Sequence, residues 1–136
     1  MKQLRNLAGI VALSAMGIAG CGSGSTQSYR IDGADVTLER RRVRNLIGGE
    51  DTFLSVARGD TVIAYTDLYS DGKLNRVEIN PKKQGSRRYR VGGGEIDKTV
   101  LAKAQEQFIG YLGRIAEIDK QKEEQKKQEA LKLLGN

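Results

Sequence analysis

The 136 residues carry 23 Lys and Arg against 17 Asp and Glu, a formal net charge of +6, with 38% hydrophobic and 5% aromatic residues. That is apolar material for one modest core. Without histidine and with a single cysteine, the sequence excludes Ser-His-Asp and Cys-His catalysis, zinc sites built on His or Cys, His-ligated haem and a disulfide within one copy.

Met1 to Asn6 carry Lys2 and Arg5 and no acid, and Leu7 to Ala19 carry no charge at all. A basic end followed by a short apolar run and small residues is the layout of a secretory signal. The apolar run is roughly 13 residues, short of the roughly 20 that a helix needs to cross a bilayer. The four residues Ile18-Ala19-Gly20-Cys21 then give a branched apolar side chain, two small ones and a cysteine.

This tetrad resembles the lipobox of bacterial lipoproteins. The resemblance implies a signal peptide over 1–20, cleavage between Gly20 and Cys21, and a diacylglyceryl group on the Cys21 thiol, often with a further fatty chain such as palmitate on the new amino group. Two or more chains anchor a protein stably where one does so marginally. Gly22, rather than an acid, follows the cysteine. The resemblance therefore implies the outer membrane of a Gram-negative host, or otherwise the outer face of the cell membrane. The alternative is an ordinary signal followed by a free exported thiol.

Cleavage there leaves roughly 116 residues, the size of one domain. Lipidated Cys21 and the Gly/Ser-rich stretch to Ser28 are expected to form a flexible tether spanning about 15 Å. From Tyr29 to Gly94 the sequence reads as sheet. Short runs rich in β-formers, Val36–Leu38, Thr52–Ala57, Thr61–Thr66, Leu74–Ile79 and Arg88–Val91, alternate with turn signals such as Asp32-Gly33, Gly59-Asp60 and Asp71-Gly72. About five strands in an antiparallel meander are expected. Connections this short leave no room for parallel crossovers.

Residues 95–136 read as one long C-terminal helix. Asp97 is its expected N-cap, with Ile96 and Leu101 as a hydrophobic staple. Leu101, Ala104, Phe108, Tyr111, Ile115 and Ile118 recur at steps of three and four, which places them on one stripe. Asp119 to Glu129 is charged or Gln throughout, so the helix is expected to dock on the sheet to about Ile118 and continue as a solvated extension with Glu–Lys pairs. The expected fold class is α+β.

Asp67-Leu-Tyr-Ser-Asp71-Gly72-Lys-Leu-Asn75-Arg-Val-Glu78 resembles the twelve-residue calcium loop of EF-hands, with Asp67, Asp71, Asn75 and Glu78 as oxygen ligands. Tyr69 stands where that family usually has Asp or Asn, and the flanks read as strands. The competing reading is a hairpin with a type I′ turn at Asp71-Gly72. That register pairs Asp67 with Arg76 and puts Val62, Ala64, Thr66 and Leu68 on a core face with Asn75, Val77 and Ile79.

Two basic clusters, one holding Arg40, Arg42 and Arg44 and the other Lys82, Lys83 and Arg88, are candidates for contact with an anionic lipid surface. Alternation along a strand sends half of each cluster to either side, so they also read as solvated strand faces. Gly92 to Gly94 before the helix reads as an anion cradle or a plain connector. The charged helix is a candidate docking segment for an envelope protein. Export argues against nucleic acid as a partner. The functional expectation is a non-catalytic envelope lipoprotein serving as a structural or interaction module, without a cofactor. The alternative is a calcium-binding lipoprotein domain, and no motif supports an enzyme.

Overall fold

A computed structural model describes residues 24–42, 49–81 and 85–135. The signal segment, the lipobox with Gly20 and Cys21, and the basic residues Arg44, Lys82 and Lys83 lie outside them.

Six strands, β1 (Gly24–Ile31), β2 (Ala34–Arg42), β3 (Glu50–Arg58), β4 (Thr61–Asp67), β5 (Arg76–Pro81) and β6 (Arg87–Arg90), form one sheet in chain order. Every neighbouring pair is antiparallel. One helix, α1 (Glu95–Leu133), follows. The α+β meander expected from the turn signals is the fold, with one strand more than expected. The sixth strand is β1, because Gly24 to Ser28 pair with Arg41 to Thr37 instead of forming a tether. Its Gly/Ser/Thr content signals flexibility, but the long β2 beside it offers a ladder that satisfies its backbone.

The β1–β2 connection is a two-residue turn in which Asp32 (φ 50°) and Gly33 (φ 78°) are both left-handed. That is the backbone a tight hairpin needs if its strands are to keep their right-handed twist. Alternation then sorts the strands. Ile31, Val36, Leu54, Tyr65 and Val77 point to one side and are almost fully buried. On the other side, Asp35, Glu39, Arg41, Glu78 and Arg88 sit among small residues such as Ser55 and Ala64, and among the described residues that face carries no helix.

The helix crosses the buried face diagonally from β6 to β1. Along it, the Asp97 carboxylate accepts from Arg90 N at 3.0 Å, Gln107 accepts from the Tyr65 hydroxyl at 3.1 Å, and Arg114 reaches Asp32 at 3.1 Å. Tyr29 donates toward the Asp119 carboxylate at 3.0 Å. The expected stripe is the docked one: Ala104, Phe108 and Ile115 are buried, and Leu101, Tyr111 and Ile118 pack against them. Phe108 stacks at 6.0 Å on Tyr65, and Tyr65 lies 6.4 Å from Tyr111.

Length explains the overhang. At 1.5 Å per residue the 39 residues of α1 span about 58 Å, whereas six strands are only about 24 Å wide. Everything from Lys120 to Leu134 is exposed. Its contacts include Lys122 over the Tyr29 ring at 5.4 Å and Gln128 to Glu124 at 3.1 Å. Among the described residues no helix is long and apolar enough to cross a membrane.

The helix start differs from expectation. Gly94 is the N-cap and Asp97 lies inside the first turn, because its carboxylate is drawn to the Arg90 amide at the end of β6. Ile96 is 71% exposed, so no staple with Leu101 closes. A Cβ on Gly93 would collide with that same carboxylate. The glycine run is thus a connector already occupied by the chain's own anion.

Candidate functional site

The β4–β5 connection is heavily braced by side-chain hydrogen bonds. It is no two-residue hairpin turn. β4 ends at Asp67, a single 3-10 turn spans Leu68–Ser70, and the ladder resumes at Arg76. Thr66 pairs with Arg76, Tyr65 with Val77 and Ile63 with Ile79. The expected pairing of Asp67 with Arg76 is off by one residue, and a slip of one exchanges the two faces of a strand. Ile63 and Tyr65 therefore face the helix with Val77, while Val62, Ala64 and Thr66 turn to the open face with Arg76 and Glu78. The cause is loop length: eight residues intervene between β4 and β5, where Asp71-Gly72 alone supplies two.

Side chains from four elements hold this loop. Asp67 is 2% exposed. One of its carboxylate oxygens accepts from Asp71 N at 3.2 Å and the other from Gly72 N at 3.0 Å. Burial pushes its carboxyl above the usual aspartate range, against the pull of those amides. Exposed Asp71 accepts from Lys73 N at 2.9 Å, which holds its own carboxyl below that range. Asn75 Oδ1 accepts from Leu68 N at 2.7 Å. From α1, Gln105 accepts from Leu74 N at 2.8 Å and donates to Gly72 O at 2.7 Å.

The tip, Tyr69 and Ser70, is left-handed at φ 66° and 51°, a conformation that costs a non-glycine residue about 1–3 kcal/mol and persists only where surrounding bonds over-determine it. They do here. Tyr69 N donates to Asp51 Oδ1 at 2.9 Å, and Ser70 Oγ lies 2.6 Å from Thr52 Oγ1 and donates to Glu50 O at 2.8 Å. The bonds turn the Tyr69 ring outward, 57% exposed, beside exposed Leu68.

The four calcium-loop residues do not converge. Asp67 and Asp71 are neighbours, and Asn75 closes the same loop by donating its N–H to Thr66 O at 2.9 Å. Glu78 is on the open face, 3.4 Å from both Arg76 Nε and Arg88 Nε. Among the described residues no three carboxylates or thiols cluster as metal ligands. The basic candidates are likewise dispersed. Arg40 and Arg42 share the helix-side face at the end of β2, with Arg40 3.7 Å from Glu50, while Arg88 lies four strands away on the opposite face.

Two concavities lie on the described surface. One of about 640 Å³ is lined, among the described residues, by Gln121 to Lys132 of α1. The other, about 400 Å³, is an open groove between α1 and the β1–β2 turn, where the Asp32–Arg114 ion pair sits.

The sequence offered this loop as a calcium site or a hairpin with Leu68 on a core face, and neither reading anticipates that Leu68 and Tyr69 are exposed apolar residues. The one available signal was Tyr69 itself, a large aromatic where a calcium loop wants an oxygen ligand. No family model, curated protein or solved structure matches the chain.

Proposed function

We propose that this protein is a membrane-anchored envelope lipoprotein, exported, cleaved before Cys21 and held by a diacylglyceryl group there, whose α+β domain is a non-catalytic structural or interaction module. The observation that carries the reading is the Ile18-Ala19-Gly20-Cys21 tetrad behind a basic, then apolar, leader. The fold is compatible with that cut, since β1 begins at Gly24 and cleavage before Cys21 removes no part of the sheet. A module without catalysis accords with a chain that has no histidine and commits its one thiol to lipid. In a Gram-negative host the destination is the outer membrane, and otherwise the outer face of the cell membrane. The partners are the bilayer and an envelope protein met by the overhanging part of α1.

Intact mass of the protein taken from its native host tests this. The expected species starts at Cys21 and carries fatty chains, and Cys21→Ser keeps its leader and carries none. A retained leader on the natural sequence, or an unmodified Cys21, overturns the proposal. A melting temperature that rises with millimolar calcium and stops rising in Asp71→Ala would favour the calcium-binding alternative instead.

A further inference from the structure

Strand register fixes which parts of the domain share an end with the anchor. Gly24 is the first residue of β1, and chain length alone limits Cys21, three residues before it, to about 11 Å from it at most. Gly24 pairs with Arg41, and Arg41 pairs with Asp51 on β3. Asp51 in turn holds the amide of Tyr69. The β4–β5 loop, the close of β6 and the start of α1 follow at this same end, since Asn75 N donates to Thr66 O and Val91 N to Asn75 O.

The two ends of the sheet differ sharply. At the anchor end, Leu68, Tyr69, Val91 and Ile96 are all exposed large apolar side chains. At the far end the described turns are Asp32-Gly33, Gly59-Asp60 and Gly85-Ser86, which hold none. Stable domains rarely collect such residues on one side without something to cover them. A tyrosine at the edge of an apolar group is the side chain that favours the headgroup level of a bilayer.

We propose that this end of the domain lies on the bilayer that holds the Cys21 lipid, with Leu68 and Tyr69 inserted among the headgroups and upper acyl chains. The inference rests on the anchoring proposed above. Leu68 and Tyr69 carry it, because the sheet's twist of about 20–25° per strand turns the β6 corner, with Val91 and Ile96, partly away from the β1 corner. The left-handed tip and its bonds to Asp51, Thr52 and Glu50 hold the two side chains outward in advance, so insertion orders nothing new. The attraction is one of apolar contact, since among the described residues Arg41, Arg42 and Lys73 share the end with Glu50, Asp51 and Asp71.

The chain has no tryptophan, so one introduced indole reports alone. Full-length lipidated Tyr69→Trp, Leu68→Trp and Val91→Trp, with Asp60→Trp at the far end, are reconstituted into phosphatidylethanolamine–phosphatidylglycerol vesicles with brominated acyl chains. Intact mass of each sample records the lipid on Cys21. The expected result is a blue-shifted indole at 69 and 68 that loses intensity to the brominated chains, a smaller loss at 91, and none at 60. Raised salt should leave the pattern in place. Where one anchor-end variant fails to fold, the others still decide the outcome. Lipid on Cys21 with no quenching at 68 or 69 overturns this inference alone, and a blue shift without quenching overturns it in favour of a protein contact. Absence of lipid on Cys21 overturns it together with the anchoring.

Discussion

The carboxylate of Asp67 accepts a hydrogen bond from the amide of Gly72 at 3.0 Å, and its second oxygen takes the amide of Asp71. A buried acid thereby does for the β4–β5 loop what a longer ladder would otherwise do. In Asp67→Ala both amides lose their acceptor at a partly buried site. The expected loss is about 1–3 kcal/mol of stability. Amide hydrogen exchange should show the effect at Asp71 and Gly72 first, with Val36 and Leu54 in the sheet centre still protected.

Gln105 ties the same loop to α1 through Leu74 N and Gly72 O. Gln105→Ala strips both bonds and should cost about 1–3 kcal/mol. Gln105→Glu keeps an acceptor for Leu74 N and places a carboxylate against Gly72 O, so it should recover part of the loss at low pH only. Thermal melts of the two variants at pH 4 and pH 8 check this.

The meander was legible because its punctuation is local: Asp32-Gly33 and Gly59-Asp60 announce their turns to any reader of the sequence. So was the docking stripe from Leu101 to Ile118, which a period of three and four fixes without knowledge of the sheet. The β4–β5 register was not legible. Asp71-Gly72 is a strong two-residue turn signal, but the amides of Leu68, Asp71, Gly72 and Leu74 are claimed by the side chains of Asn75, Asp67 and Gln105, which hold a wider loop. Gln105 lies 33 residues beyond Gly72, and no local pattern announces so distant a partner. Strand β1 hid for a related reason: Gly24 to Ser28 lack the composition of a strand and owe their order to β2.

Alkaline pH should loosen the core through two phenols. Burial, aided by Tyr111 nearby, pushes Tyr65 up to about 12, and burial with the adjacent Asp119 carboxylate raises Tyr29 as well. Both are neutral in the fold while an unfolded tyrosine ionises near pH 10. Their contribution is therefore complete below pH 10 and fades as pH climbs toward 12. Melting temperature should fall across that window, and less steeply in Tyr65→Phe.

Neighbouring helix positions should respond in opposite ways. Phe108 is fully buried and Ile109 half-exposed. Phe108→Ala removes the ring that stacks on Tyr65 and should cost about 3–5 kcal/mol, whereas Ile109→Ala should fall within about 0.5 kcal/mol of the parent, as surface changes do. Urea midpoints at constant m-value provide the comparison. A large loss at Ile109 would mean that the outer side of α1 is covered in solution.

Proline separates the docked part of α1 from its overhang. Glu106 and Lys126 are both exposed helical positions, so a proline at either removes one backbone hydrogen bond and clashes with the preceding turn, at about 3 kcal/mol of local cost. At Glu106 that break falls between Gln105, which grips Gly72 and Leu74, and Phe108 in the core. Glu106→Pro must therefore draw on the global stability, and its melting temperature should drop by many degrees. Among the described residues Lys126 has only helix around it, so Lys126→Pro should fray the last turns, reduce far-UV ellipticity and leave the melting temperature of the sheet where it was. Equal drops for the two variants would mean that the overhang is packed against something in solution, a second copy in a pure sample. The drop would then deepen on dilution.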